Sequence, residues 1–165
     1  MKNKTLLKFF LLLCVTPLIL ISCKDDEDSS PTQEGPTQKI FNGNVVLSSQ
    51  AQVDDFAHEN YNIIDGDLLI GFQASSTQTS NITDLSELIS ITSIDGSLNI
   101  SNNPILPNLE DLNSLNLARG LEFRNNTIII TMLPLVNILE LTFLQVEDND
   151  ALVNIEGLSG VTKIL

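Results

Sequence analysis

The chain has 165 residues, of which 8 are Lys or Arg, 21 are Asp or Glu and 1 is His, giving a formal net charge of −13 at pH 7. Such an acidic excess excludes nucleic acid, whose phosphates are held by clustered cations, and excludes electrostatic attraction to anionic lipid. The length allows one domain with a real core rather than two, and 2 cysteines cannot supply a disulfide framework.

The first element is an export signal over residues 1–22: Lys2, Lys4 and Lys8 precede an apolar run from Phe9 to Ile21 that is too short to span a bilayer and contains Pro17. It closes on Leu20-Ile21-Ser22-Cys23, which resembles the bacterial lipobox, a small residue before a cysteine that is acylated and becomes the first mature residue. The resemblance implies a covalent lipid anchor on Cys23, with the membrane reached through several acyl chains because a single one holds only marginally. Cys14 leaves with the signal, so no thiol remains for a disulfide, a nucleophile or a thiolate metal site. Residues 23–39 are polar and acidic with Pro31 and Pro36, a composition that cannot bury a core and predicts a flexible tether. The cluster Asp25, Asp26, Glu27 and Asp28 resembles the surface-export signal of lipoproteins in some Gram-negative bacteria. It implies the outer membrane and the cell surface, with a spacer facing the periplasm as the alternative.

Residues 40–165 form the predicted domain. Val45-Val46-Leu47 is a short β-prone run, and Ser49-Gln50-Ala51-Gln52 fits the S-x-x-Q capping box that starts a helix from about Gln50 to His58. Val53, Phe56 and Ala57 share one face of it, so the helix is amphipathic and suited to cover the open end of a stack of coils. His58, the sole histidine, reads as a helix-end residue rather than a ligand.

From Gly66-Asp67-Leu68-Leu69-Ile70 onward the sequence repeats. Stepping by 23 residues takes Leu98 to Leu121 and Leu144, Ile100 to Phe123 and Val146, Asn102 to Asn125 and Asp148, and Asn103 to Asn126 and Asn149. The same step gives further columns headed by Leu106, Leu109, Leu112 and Leu115. A fixed period of this size means stacked coils, each burying its apolar face against its neighbours, here about 23 residues per coil. The step from Leu68 to Leu98 is 30, with the excess assigned to the polar stretch Gln73–Asn81 and to Ile91–Asp95. Ile82, Leu85 and Leu88 are then expected to rejoin the columns of Leu109, Leu112 and Leu115. The L-x-I alternation predicts strands of two or three residues stacked as a parallel sheet. The spacing of three from Leu106 to Leu115, with Pro104, Pro107 and Pro134 nearby, predicts 3₁₀ or irregular segments behind it. The Asn103, Asn126, Asn149 column is expected to form a ladder of side-chain amides satisfying turn backbone.

The core L-x-[IFV]-x-x-N, as in Leu98, Ile100 and Asn103, resembles the leucine-rich repeat; Leu141 adds the leucine three residues before Leu144, where the earlier copies have Asp95 and Ala118. With the G-x-L-x-I strand starts, the leading strand and the capping helix, the closer resemblance is to the receptor L domain. It implies a mainly β fold, a short right-handed parallel β-helix or leucine-rich solenoid with an N-terminal capping helix, used for binding without catalysis or cofactor. It transfers no ligand.

One histidine, no free thiol and no nucleotide or nucleophile-elbow motif close most catalytic routes. The acid pairs Asp54-Asp55 and Glu110-Asp111 are sequence neighbours in exposed segments, which disfavours a hydrolase, and the nonapeptide signature of calcium-binding β-helices is missing. The expected function is therefore a lipid-anchored binding module for an unidentified protein or glycan, the competing class being a shortened remnant or spacer of a larger surface protein. Side chains alternate along the strands, so Leu69, Asn99, Glu122 and Gln145 form one outward column and Gly71, Ser101, Arg124 and Glu147 the next. These are the candidate binding face, with the loop Gln73–Asn81 as its rival. The last copy, from Leu144 to Leu165, is expected to lack a cap and to favour self-association.

Overall fold

Hydrophobic columns spaced by one repeat can be buried only if the copies align, and the strands do so in register. The computed structural model describes residues 37–165, so the signal segment, Cys23 and nearly all of the tether lie outside the described residues. The strands are β1 (Ile40–Asn42), β2 (Val45–Leu47), β3 (Ile63–Asp65), β4 (Leu68–Gly71), β5 (Ser93–Ser101), β6 (Leu117–Arg124), β7 (Glu140–Leu141), β8 (Phe143–Glu147) and β9 (Lys163–Ile164), with one helix, α1 (Gln50–Ala57). All their pairings are parallel, and the fold is mainly β. Leu68, Leu98, Leu121 and Leu144 pair in one row, and Ile70, Ile100, Phe123 and Val146 in another.

The repeat begins earlier than its sequence columns indicated. Ile40 pairs with Ile63 and Val45 with Leu68, so β1 and β2 open a first copy at the common step of 23. Strands are also longer than two or three residues: β5 has 9, because its first part pairs with β3 and its second with β4. A register shift follows Ile94, which pairs with Ala118, whereas Ser97 pairs with Gly120. Such a bulge adds one residue to a strand. It explains why Asp95 stood where an apolar residue was expected: the inward position belongs to Ile94, which is fully buried.

Behind the sheet run four 3₁₀ turns, Ser86–Leu88, Glu110–Leu112, Leu133–Leu135 and Glu156–Leu158. Each follows an apolar residue at the same place, Leu85, Leu109, Met132 or Ile155, so Leu85 aligns with Leu109 and Leu88 with Leu112, not with the next position along. The excess therefore falls in both stretches: seven residues in the loop after Gly71 and one in the bulge after Ile94, offset by one residue fewer between Ser80 and Leu85 than between Asn103 and Leu109. Gly71 pairs with Ser101 at a step of 30, but the Ser80 hydroxyl donates to Asn103 Oδ1 across a step of 23, which confines the insertion to residues between them.

Each turn is capped in the same way. The backbone N–H groups of Ser86, Glu110, Leu133 and Glu156 donate to Asp84 Oδ1, Asn108 Oδ1, Thr131 Oγ1 and Asn154 Oδ1 at 2.9–3.1 Å. The Ser86 hydroxyl and N–H hold the Asp84 carboxyl below its ordinary range. Burial, followed by the charges of Asp84 and Glu110, pushes Asp111 above it.

Helix α1 stands at the head of this row and packs on β2 and on the first turn. Its cap departs from the box: Ser49 Oγ accepts from Gln52 N at 3.4 Å, but Gln52 Oε1 reaches back to the N–H of Ser48, one residue before the cap. Val53 is buried, and Phe56 joins Phe41 and Tyr61 in a cluster with ring centroids 5.3–5.6 Å apart.

The asparagine ladder is the polar counterpart of the apolar columns. Asn103 Nδ2 donates to the carbonyl of Ile70, Asn126 Nδ2 to that of Ile100 and Asn149 Nδ2 to that of Phe123, at 2.8–3.0 Å. Asn103 Nδ2 also donates to Asn126 Oδ1, and Asn126 Nδ2 to Asn149 Oδ1. Just before them, Asn102, Asn125 and Asp148 adopt φ of 61°, 54° and 55°, the left-handed turn that Asn and Asp tolerate better than other side chains. Burial weakens in the last copy, where Leu144, Val146, Leu152 and Val161 are only partly covered.

Leu121→Ala should cost about 2–5 kcal/mol in urea denaturation through the cavity it leaves. Asn126→Ala should cost about 3 kcal/mol, because it removes a donor from the buried Ile100 carbonyl and an acceptor from Asn103 Nδ2; a loss below about 1 kcal/mol would show that the ladder is dispensable. The raised Asp111 carboxyl penalises the charged folded state above its folded pKa, and the penalty vanishes as pH falls through that value to the ordinary 3.8. Asp111→Asn should therefore raise the melting temperature at neutral pH and leave it unchanged below pH 3.8.

Candidate functional site

The outward positions of β4, β5, β6 and β8 come together as the alternation requires. Leu69, Asn99, Glu122 and Gln145 lie side by side in register, as do Gly71, Ser101, Arg124 and Glu147. Cys23 is outside the described residues.

The five residues expected on this face form one bonded network. Asn99 Nδ2 donates to Glu122 Oε2 at 2.7 Å, and the Ser101 hydroxyl donates to Asn99 Oδ1 at 2.6 Å. Arg124 bridges two copies, with one terminal nitrogen 3.3 Å from Glu147 Oε2 and Nε 3.1 Å from Glu122 Oε1. The Nε contact is an ion pair without hydrogen-bond alignment, and that buried N–H has no other acceptor. Gln145 Nε2 donates to Glu147 Oε1 at 3.1 Å. The network orders the side chains without consuming them, because the guanidinium keeps donors free for a ligand.

Two of the expected outward positions are not open. Gly71 and Ser101 are buried beneath the start of the inserted loop, where Phe72 N donates to the Ser101 carbonyl at 3.1 Å. Gly71, at φ 101°, cannot be replaced, since a Cβ there would lie 2.0 Å from the Ser101 carbonyl oxygen. The loop is tied down by Asn102 Nδ2, which donates to the carbonyls of Phe72 and Gln73 at 3.2 and 2.8 Å. Its first residues, Gln73, Ala74 and Ser75, meet Asn99, Glu122 and Arg124 around a hollow of about 310 Å³. The sheet face and the loop are therefore two walls of one site, although the sequence presented them as rivals.

A second hollow of about 280 Å³ adjoins it, with Val46 and Leu69 alongside Asn99 and Glu122. Phe143 closes one end, its ring lying over Gly120, where a Cβ would come within 2.2 Å of the ring. At the other end Asn44 Oδ1 accepts from Asp67 N and Asp67 Oδ1 from Ser97 N, at 2.9 and 2.8 Å. Sequence reasoning missed Phe143, whose signal was a phenylalanine in register with a glycine, and named Gln73 only as part of the rival loop.

The site offers amides, carboxylates, one guanidinium and one aromatic edge, a set suited to recognition. His58 Nδ1 is engaged with the Asp54 carbonyl of its own helix at 2.6 Å. Among the described residues no group of three or more His, Cys, Asp or Glu converges to hold a metal, and no helix is long and apolar enough to cross a membrane. No family model, no curated protein and no solved structure matches the chain.

Proposed function

We propose that the chain is a lipid-anchored binding module: acylated at Cys23, tethered through residues 23–39, and presenting one sheet face with its inserted loop to a protein or glycan at the outer surface of an outer membrane. In this reading residues 40–165 are a short right-handed parallel solenoid akin to the receptor L domain, capped at its start by α1. The in-register steps of 23 residues and the row of 3₁₀ turns support that architecture. The observation that carries the binding role is the shared hollow, where a loop present in one copy only meets the ordered network of Asn99, Glu122, Arg124, Gln145 and Glu147. An ordered polar face beside a single irregular loop is what recognition on a regular scaffold requires.

The binding role is tested by screening the purified protein on glycan and surface-protein arrays. A specific ligand is expected, and Arg124→Gln or deletion of Gln73 to Thr79, which restores the common spacing, should each weaken it by about tenfold. A ligand indifferent to both changes would move the site elsewhere. No ligand on either array would favour a spacer. For the anchor, Cys23→Ala should abolish labelling by a fatty-acid probe and release the protein from the membrane fraction, whereas labelling that persists would contradict acylation there.

A further inference from the structure

The outer face of the 3₁₀ row carries a break in pattern that the sheet face does not involve. The first residues of the four turns are Ser86, Glu110, Leu133 and Glu156, and the second residues are Glu87, Asp111, Pro134 and Gly157. Successive turns pack on one another, so these positions stand in rows. The third turn thus has leucine where both neighbours have glutamate, and proline where the second has Asp111 and the fourth Gly157. After the turns, Val136 stands where the second and fourth have Asn113 and Ser159, while the first has Ile89. No charged residue occurs between Arg124 and Glu140, in a chain with 21 acids. Ile130, Leu133, Val136 and Leu139 are 59%, 54%, 41% and 57% exposed. Ile130, Leu133 and Val136 lie together along one groove, and an apolar strip of this kind on a folded surface marks an interaction site rather than scatter.

Beside the strip lies a groove of about 620 Å³, larger than either hollow on the sheet face, lined by Pro107, Glu110, Asn113, Ile130, Leu133 and Val136. Glu110 stands on one side of Leu133, and Glu156, one turn further along, on the other. No Lys or Arg lines the groove. The uncompensated negative field is already felt on this face, where Asp84 and Glu110 help to push the Asp111 carboxyl upward.

We infer that this groove between the second and third 3₁₀ turns is a docking site for a segment of another protein that combines apolar side chains with flanking Lys or Arg. The apolar floor takes the side chains, Glu110 in the groove wall takes one cation and Glu156, beyond Leu133, a second, which sets both the register and the sign of the partner. A second copy of the chain would bring the same carboxylates against each other, and anionic lipid would meet them with like charge. This site is independent of the sheet face and stands or falls separately from it.

The test uses the full chain in zwitterionic nanodiscs, with empty nanodiscs as blank, titrated with a short fluorescent peptide of leucine and lysine. The same peptide with serine for leucine, or with glutamate for lysine, should bind at least about tenfold more weakly. The double change Leu133→Glu and Val136→Ser installs residues that the fourth turn already tolerates at the same places. It adds negative charge, so simple attraction of the cationic peptide would strengthen; the groove predicts a loss of about tenfold or more instead. Glu110→Gln, an exposed change that spares the fold, should weaken binding and flatten its salt dependence, and it decides the matter if the double variant does not fold. Binding that survives both sets of changes overturns the inference, as does equal binding of the glutamate peptide. A doubled mass of the peptide-free protein that Leu133→Glu with Val136→Ser abolishes would also overturn it, because the occupant would then be a second copy.

Discussion

The structure depends on one recurring hydrogen bond: the side-chain amide of an asparagine in each copy donates to the carbonyl of the last inward residue of the copy before. Ile70, Ile100 and Phe123 are those inward residues, buried where the chain turns out of the sheet through a left-handed position. A buried carbonyl at such a corner has two lone pairs to satisfy and costs free energy unless a donor reaches it. Asn103, Asn126 and Asn149 supply that donor across copies, and they bond one another in doing so. The register of the corner is thereby fixed, and with it the burial of every apolar column on either side. Ser80 closes the series: its hydroxyl reaches Asn103 although it comes after a seven-residue insertion, so the corner is restored before the next turn begins.

A scaffold locked in this way leaves freedom at positions outside the apolar columns and the amide ladder, and both candidate recognition surfaces occupy such positions. The loop after Gly71 occurs in one copy and leans on Asn99, Glu122 and Arg124. The third 3₁₀ turn begins with leucine and proline, while both its neighbours begin with glutamate. Neither departure disturbs the core, since Leu88, Leu112 and Leu135 remain buried at matching places. Regular structure here holds irregular features in place.

The columns from Leu98 to Leu121 and Leu144, the amide ladder and the 3₁₀ turns were legible because each rests on one residue type recurring at one spacing, and α1 because its start and its apolar face follow helical spacing. Elsewhere the role was constant but the residue was not. Asp84, Asn108, Thr131 and Asn154 all cap a turn, and no single letter links them. The first copy was hidden for a related reason: α1 stands where later copies have a 3₁₀ turn, so only the strand pairings of Ile40 and Val45 reveal it. The bulge after Ile94 displaced the columns of Leu85 and Leu88 and put Asp95 in place of the true inward residue. In the candidate site, alternation was enough to place Asn99, Glu122, Arg124, Gln145 and Glu147 on one face. It could not show that Gly71 and Ser101 lie beneath the loop, nor that Gln73 joins the same hollow, because both depend on how an insertion folds back.

The claim that the amide ladder sets the register can be measured directly by following exchange of asparagine side-chain amide protons by nuclear magnetic resonance. The account predicts that the Nδ2 protons of Asn103 and Asn126 exchange as slowly as the backbone amides of β5 and β6, while those of the exposed Asn116 exchange freely. Exchange of Asn103 and Asn126 at the rate of Asn116, with the strands still protected, would mean that the copies are held together without the ladder.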